Sequence, residues 1–151
     1  MNVAAGVLRG AIVAVDVGAV RVGVAASDPH GMLASPVTTL VRDTTAEADL
    51  RELAELVQER DAVEVVVGLP ITLAGREGPA AVAARAYADA LAPLVAPVPV
   101  RLVDERLTTV VGAQHLRASG VRSKQQRGVI DQAAAVALLQ GVLDAAREAD
   151  R

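Results

Sequence analysis

The chain begins with three short apolar runs of strand length, separated by residues that favour turns. The runs cover residues 11–15, 21–26 and 36–41. Gly18 lies in the first gap, and the second gap contains the turn-forming residues 28–31. Because short connections of this kind join antiparallel strands, the pattern predicts a meander of three strands that opens with a hairpin.

Helical spacing replaces this pattern between residues 45 and 60. Leu50, Leu53 and Val57 recur along one face, acidic residues lie early in the segment, and a basic residue lies at its end, as the helix dipole favours. A continuous apolar run follows at residues 64–68 and is typical of a strand buried on both faces. A helix that leads into such a strand predicts a parallel crossover, and therefore a mixed α/β fold.

The second half of the chain continues the alternation of helices and strands. We predict a loop at residues 69–78, a helix from Pro79 to about Leu94, a strand at 98–103, a helix at about 109–118, and a long final helix capped by Ser123. This order is expected of a single mixed five-stranded sheet flanked by helices, as in RNase H-like domains. A doubly wound nucleotide-binding fold is the alternative, and the opening hairpin fits it poorly.

Length and composition indicate one domain without membrane segments. A chain of 151 residues is long enough for one core, which we assign to residues 11–147, after a tail at residues 1–10. No apolar run is long enough to cross a bilayer, no secretory signal opens the chain, and there is no cysteine for a disulfide framework. We therefore expect a cytoplasmic protein. Because the formal net charge is −3, any binding of nucleic acid depends on a local basic patch or on bound metal.

Carboxylates occur at three points that border or interrupt the apolar pattern. Asp16 follows the first predicted strand, and Asp131 lies on a helix face shared with apolar residues. Asp104 and Glu105 follow the strand at residues 98–103. Asp16 could instead form an Asx turn, and Asp131 could form a buried ion pair or lie on a helix edge at the solvent boundary. Asp104 could likewise cap the next helix while Glu105 pairs with a surface arginine.

Together these sites favour a metal-dependent reaction. Two strand ends and one helix face can bring their carboxylates into a single cluster, and this edge of an open α/β sheet is where ligands usually bind. Hard oxygen ligands favour Mg²⁺ or Mn²⁺ over zinc. Two such ions about 4 Å apart suit the hydrolysis of a phosphodiester bond, for which no nucleophilic side chain is required.

Four motifs that include these acids occur in order along the chain. The first opens with Asp-Val-Gly at Asp16, the second covers residues 67–70 and 75–79, the third is Asp-Glu-Arg-Leu-Thr-Thr at 104–109, and the fourth is Ile-Asp-Gln-Ala-Ala at 130–134. As a set, and over about residues 11–144, they resemble the YqgF/RuvX family.

The resemblance implies an RNase H-like fold related to RuvC-type Holliday junction resolvases. It also implies metal-dependent nuclease activity, on branched DNA or on precursor 16S ribosomal RNA. The acidic residues of the family fall on Asp16, Glu105 and Asp131, which are thereby the predicted catalytic residues and ligands of Mg²⁺ or Mn²⁺. Asp104 stays open as the middle ligand, since neighbouring residues of a strand point to opposite faces.

Basic residues near these acids are candidate contacts to nucleic-acid phosphates. They are Arg21, Arg76, Arg106, Arg122, Lys124 and Arg127. Each is also explained as an ordinary surface charge, and the segment 121–127 is less basic than is usual in the family. Tyr87 is the one aromatic residue in the sequence, so the chain has no platform for stacking several unpaired bases. We therefore expect recognition of a duplex or a junction through its shape and backbone.

Two other functions stay open at this point. A non-catalytic module that binds the ribosome or the transcription machinery could keep the same fold, although the presence of all three acids argues against it. The opening motif also resembles the phosphate-binding start of actin-like phosphotransferases, whose fold normally uses two such domains where this chain has room for one. Because a junction presents two symmetric strands, we expect a nuclease of this kind to be a homodimer.

Overall fold

The computed structural model describes the backbone of residues 10–107 and 124–150 and the side chains of residues 10–106 and 130–150. Within these residues, five strands form one sheet and three α-helices cover it. They are β1 (Ile12–Val17), β2 (Arg21–Ser27), β3 (Ala34–Val41), α1 (Ala48–Glu59), β4 (Glu64–Leu69), α2 (Pro79–Val95), β5 (Val100–Asp104) and α3 (Lys124–Ala149). A short 3₁₀ turn, Glu105–Leu107, follows β5. The helix predicted at about residues 109–118 lies outside the described residues.

The sheet is mixed, with the strand order β3-β2-β1-β4-β5. β1 pairs antiparallel with β2, and β2 with β3, whereas β1 pairs parallel with β4, and β4 with β5. The predicted meander, the parallel crossover and the mixed five-stranded sheet are thus confirmed. β3 is an edge strand, and its Pro36 has no backbone N–H to donate. The pairing register between β2 and β3 shifts by one residue between Val24 and Ala25. No helix in the described part of the chain is both long and apolar enough to cross a membrane.

β1 is longer than its apolar run predicts. Its antiparallel ladder with β2 extends to Val17, so Asp16 lies inside the strand and pairs with Gly23, instead of following the strand. The prediction placed the end of the strand too early because the backbone ladder, and not side-chain polarity, decides where an antiparallel strand ends. The turn itself is tight: the Gly18 N–H donates to the Arg21 carbonyl oxygen at 2.8 Å, and a Cβ on Gly18 would meet that oxygen at 2.7 Å.

The two faces of the sheet carry side chains of different size. Val15 of β1 belongs to a core of large apolar residues beneath α1 and α2. Ala14 lies on the opposite face, where Ala25 and residues of α3 such as Leu139 pack around it. Because successive residues of a strand point to opposite faces, Asp16 shares the face of Ala14, which α3 covers.

A buried polar contact joins α1 to α2 on the other side of the sheet. Asp49, which is 5% exposed, accepts hydrogen bonds from the Tyr87 hydroxyl at 3.0 Å and from the Asp43 backbone N–H at 3.2 Å. Burial, together with the charge of Asp49, raises the pKa of Tyr87 well above its usual range, so the phenol stays a donor. The Arg42 guanidinium lies over the ring, 5.7 Å from its centroid. The one aromatic side chain is therefore part of the core.

α3 lies so close to the small-residue face that its backbone contacts β2. A Cβ added to Gly23 would lie 2.1 Å from the carbonyl oxygen of Asp131 and 2.4 Å from its carbonyl carbon. The next residue of α3, Gln132, donates from Nε2 to the Thr39 hydroxyl of β3 at 2.9 Å. Glycine at position 23 is thus required for the helix to reach the sheet.

Gly23→Ala is expected to destabilise the fold by about 1–3 kcal/mol, the usual range for overpacked sites. The added methyl group meets main-chain atoms of α3, which cannot turn aside as a side chain can. Urea unfolding of both proteins measures the difference in the free energy of unfolding. Gly68→Ala is the matched control, because the three atoms nearest to its methyl group all belong to the side chain of Glu105. Equal losses in the two variants would contradict the backbone contact at Gly23.

Candidate active site

Asp16 lies between two glycines on the face of the sheet that α3 covers. Its antiparallel partner on β2 is Gly23. On the other side, β1 runs parallel to β4 with Val15 opposite Val67, so the next step of the register sets Gly68 beside Asp16. Neither glycine carries a side chain, and the strip of backbone on both sides of the carboxylate is therefore open to groups from other elements.

Glu105 reaches over the glycine on β4. It is the first residue of the 3₁₀ turn that follows β5, the parallel neighbour of β4. A Cβ added to Gly68 would lie 2.5 Å from Glu105 Oε1 and 3.2 Å from its Cδ and Cγ. The side chain of Glu105 therefore lies directly on Gly68, which is possible only because residue 68 has no side chain.

Asp131 approaches the glycine on the other side. Its backbone covers Gly23, and its carboxylate Oδ2 accepts a hydrogen bond from Arg21 Nε at 3.3 Å. The side chains of Arg21 and Asp131 are 25% and 22% exposed, so water screens the pair only in part. Arg21 is the first residue of β2, and the pair thus ties α3 to the end of the hairpin. Asp131 thus has an ion pair, as one alternative from the sequence predicted, but the pair is partly exposed and not buried.

Asp104 and Glu105 are adjacent in the chain but have different partners. Asp104 accepts the backbone N–H of Arg106 at 2.9 Å, and its Oδ2 accepts Nε and Nη2 of the same residue at 3.0 and 2.7 Å. These bonds from Arg106 lower the pKa of Asp104, so the carboxylate stays ionised within the turn. Of the two candidates for the middle ligand, only Glu105 is directed onto Gly68.

The three predicted acids share one face of the sheet and come from a strand, a turn and a helix. Glu105 and Asp131 approach the glycines on either side of Asp16. The three carboxylates do not surround a common point. Residues 10–106 and 130–150 contain no group of three histidine or acidic side chains spaced to hold a metal ion. All three side chains carry carboxylate oxygens, the type of ligand that Mg²⁺ and Mn²⁺ prefer.

The predicted phosphate contacts differ in what they already bind. Arg21 is paired with Asp131, and Arg106 is paired with Asp104. Arg76 is exposed in the loop that follows β4. The remaining candidates lie outside the described side chains: Arg122, Lys124 and Arg127.

Gly23 and Gly68 are the site residues that the sequence interpretation missed. Both lie inside apolar strand patterns, and a glycine within a strand commonly marks a close approach by another part of the chain. The signal is therefore present in the sequence, but it does not tell which element makes the approach.

Comparisons with known proteins place this chain in a family. A model of the RuvX family, described as Holliday junction resolvase, matches residues 10–145. A protein of Mycolicibacterium paratuberculosis is 59% identical over 143 residues, covering 95% of this chain and 85% of its own. A protein of Streptomyces avermitilis is 57% identical over 143 residues, covering 94% of this chain and 90% of its own. Both carry the name "Putative pre-16S rRNA nuclease".

Solved structures share the fold. Thermus thermophilus RuvC in complex with a Holliday junction substrate has a TM-score of 0.57 at 14% sequence identity, covering 93% of this chain and 97% of that chain. A second T. thermophilus RuvC structure has a TM-score of 0.51 at 15% identity, covering 92% of this chain and 96% of that chain. At such identities the likeness concerns the fold alone, and it confirms the predicted RNase H-like class.

Gly68→Ala is expected to move the Glu105 carboxylate without unfolding the protein. The new Cβ would lie 2.5 Å from Glu105 Oε1, and the side chain can turn away at the cost of a rotamer change. The free energy of unfolding should change by less than about 1 kcal/mol, and a crystal structure of the variant should show the carboxylate displaced from residue 68. A Glu105 side chain that keeps its position in the variant would contradict the contact.

Proposed function

This chain belongs to the RuvX family of nucleases, and from that premise we propose that it is a metal-dependent endonuclease for structured nucleic acid. Its reaction is the hydrolysis of phosphodiester bonds, and its proposed substrate is a four-way DNA junction, the 5′ region of precursor 16S rRNA, or both. Asp16, Glu105 and Asp131 are the proposed catalytic residues and metal ligands. The observation that supports the proposal is the pair of glycines on this face of the sheet, where the Glu105 carboxylate lies over Gly68 and the backbone of Asp131 lies over Gly23, the strand partner of Asp16.

The chemistry of these side chains fits Mg²⁺ or Mn²⁺. Carboxylate oxygens are the ligands that these ions prefer. Glu105 Oε1 lies in the space above Gly68 that a Cβ would fill. Because residue 68 has no side chain, a carboxylate oxygen can occupy this position. Three carboxylates on one face repel one another, and Arg21 offsets part of that charge. When bound, such ions activate the phosphate and the attacking water.

The three acids lie on elements of different rigidity. Asp16 is fixed by strands on both sides of β1, and Asp131 is fixed because the backbone of its helix rests on the sheet. Glu105 is carried by a short 3₁₀ turn and not by a strand or an α-helix. In the proposed reaction these residues hold the cofactor and thereby orient the scissile phosphate, while water is the nucleophile. Small shifts of the adjustable member, Glu105, are therefore expected to affect the rate most easily.

The proposed substrate contacts are basic side chains around the same edge of the sheet. Arg76 is exposed in the loop that leaves β4 just after Gly68, and Arg21 lies at the site itself. Tyr87 is buried beneath the opposite face and offers no stacking surface. Contacts to the backbone and shape of a duplex or junction fit this surface better than the stacking of unpaired bases. The further predicted contacts are Arg122, Lys124 and Arg127.

A homodimer is the proposed working form. A four-way junction has two equivalent strands to cut, and a twofold dimer supplies two equivalent active sites. The sequence contains no cysteine, which suits the reducing cytoplasm that we propose as its location.

Purified protein should cut a labelled four-way DNA junction or a precursor 16S rRNA fragment when Mg²⁺ or Mn²⁺ is present, and not when EDTA is added. A linear duplex of the same sequence and the mature rRNA end are the substrate controls. Asp16→Asn, Glu105→Gln and Asp131→Asn should each lower kcat at least about 100-fold, because each removes a charge that acts on the transition state. Asp144→Asn changes an exposed acid of the same helix as Asp131 and should keep the wild-type rate.

Each outcome of this assay decides a part of the proposal. Metal-dependent cutting of one substrate, lost in the three variants, supports the nuclease and identifies what it cuts. Equal rates for Asp131→Asn and Asp144→Asn would remove Asp131 from the catalytic set. No cutting of either substrate with either metal would contradict the proposal and favour a non-catalytic module.

Gly68→Ala should slow cleavage without removing any carboxylate. Displacing a catalytic group by about 1 Å is expected to lower the rate about 100-fold. The affinity for uncut substrate should stay the same, because the charges are unchanged. Single-turnover cleavage and filter binding measure the two quantities. A wild-type rate in this variant would show that the position of Glu105 on Gly68 has no catalytic role.

A further inference from the structure

We infer that Arg106 is a positioning residue, whose guanidinium fixes the turn that aims Glu105 and ties this turn to the loop after β4. The inference rests on the proposed function, because it concerns how one proposed metal ligand is held. It differs from the expectation that Arg106 contacts a phosphate of the substrate.

Arg106 folds back onto the residue that ends β5. Its Nε donates to the two carboxylate oxygens of Asp104 at 3.1 and 3.0 Å, and its Nη2 donates to Oδ2 at 2.7 Å. Its backbone N–H donates to Oδ1 at 2.9 Å. This is the forked geometry in which arginine binds a carboxylate most specifically. The bonds close a ring that has Glu105 as its middle residue.

The third guanidinium nitrogen is directed to the loop after β4. Arg106 Nη1 donates to the Thr72 carbonyl oxygen at 3.4 Å, and it lies 3.9 Å from the Cβ position of Gly75. This loop is itself closed, because the Gly75 N–H donates to the same carbonyl at 2.8 Å and the Thr72 N–H donates to the Arg76 carbonyl at 2.9 Å. All three guanidinium nitrogens therefore donate to protein oxygens, and only the second N–H groups of Nη1 and Nη2 are left for a substrate phosphate.

Asp104, Arg106 and Thr72 thus form a clamp that acts on both sides of the contact between Glu105 and Gly68. Asp104 and Arg106 flank Glu105 in the chain, and Thr72 belongs to the loop into which β4 leads after Gly68. β4 and β5 are parallel neighbours, so the clamp joins the two strand ends that carry the contact. A rotation of the turn would carry Glu105 Oε1 away from Gly68.

A second arginine on β5 provides a matched control. Arg101 donates from Nε and Nη2 to Glu64, both at 3.2 Å. Its side chain is 52% exposed, against 41% for Arg106. This pair also joins β5 to β4, but it takes no part in the turn of Glu105. Because exposed ion pairs of this kind contribute little to stability, a difference in catalysis between the two arginine variants would not come from a loss of stability.

The test compares Arg106→Gln, Arg106→Lys and Arg101→Gln with the wild-type protein. Lysine keeps the charge but lacks the planar fork, so it can serve a phosphate contact and cannot rebuild the clamp. We expect both Arg106 variants to lower kcat about tenfold or more and to leave KM close to the wild-type value. We also expect both to bind Mn²⁺ alone more weakly by calorimetry. Arg101→Gln should match the wild type in all three quantities.

The salt dependence of binding separates positioning from phosphate contact. Loss of one phosphate contact lowers the slope of log K against log salt by about one. For an uncut four-way DNA junction in EDTA, we expect Arg106→Gln and the wild type to have the same slope. A slope reduced by about one, with a raised KM, an unchanged kcat and rescue by lysine, would overturn the inference in favour of a phosphate contact.

Asp104→Asn completes a double-mutant cycle. Residues that act through one clamp should give non-additive losses, so the double variant with Arg106→Gln should be no slower than the slower single variant. Additive losses in kcat would contradict a shared role.

The Mn²⁺ titration keeps this result separate from the proposed function. If the wild type binds Mn²⁺ but cuts neither substrate, the nuclease proposal fails, while weaker Mn²⁺ binding by Arg106→Gln than by Arg101→Gln still supports the clamp. Equal Mn²⁺ affinities in these two variants, or no Mn²⁺ binding by any of the proteins, would overturn the inference even if the wild type is an active nuclease.

Discussion

The contact between the backbone of α3 and Gly23 is the constraint on which the rest of the site depends. Any larger residue would hold the helix away from β2, because its Cβ would lie 2.1 Å from a main-chain oxygen of Asp131. With glycine there, and with small core residues such as Ala14 and Ala25 beside it, the helix lies close to the sheet. An acid from late in the sequence, Asp131, is thereby brought to β2, the neighbour of the strand that carries Asp16. The large valines of the opposite face stabilise the core, and the small residues of this face permit the approach.

Gly68 lets the Glu105 side chain lie against β4, just as Gly23 lets the backbone of α3 lie against β2. The two glycines admit different partners: one admits rigid main chain, and the other admits the carboxylate of Glu105, which can rotate. The site is therefore rigid on the side of α3 and adjustable on the side of β5. The proposed role of Arg106 follows from this asymmetry, because its bonds act on the turn that carries Glu105. They restrict the part of the site that strand pairing and helix packing leave free.

The sequence by itself determined the elements and their order. The meander at residues 11–41, the helix before β4 and the long final helix follow from periodicity and turn residues that act over a few positions. The acids were found in the same way, since a carboxylate after a strand or on an apolar helix face departs from a local pattern. The end of β1 was not found, because Asp16 stays in the strand through a ladder with β2 that no local pattern contains.

Only the tertiary structure decided which partners the residues of the candidate site contact. Arg21 and Asp131 are 110 positions apart in the chain, and nothing in either segment predicts their ion pair. The different partners of Asp104 and Glu105 likewise depend on the loop and strand that pack against their turn. Glycines inside apolar strands are visible in the sequence, but what covers each of them is not. A close approach is a property of two surfaces that fit together, and a sequence pattern describes one segment at a time.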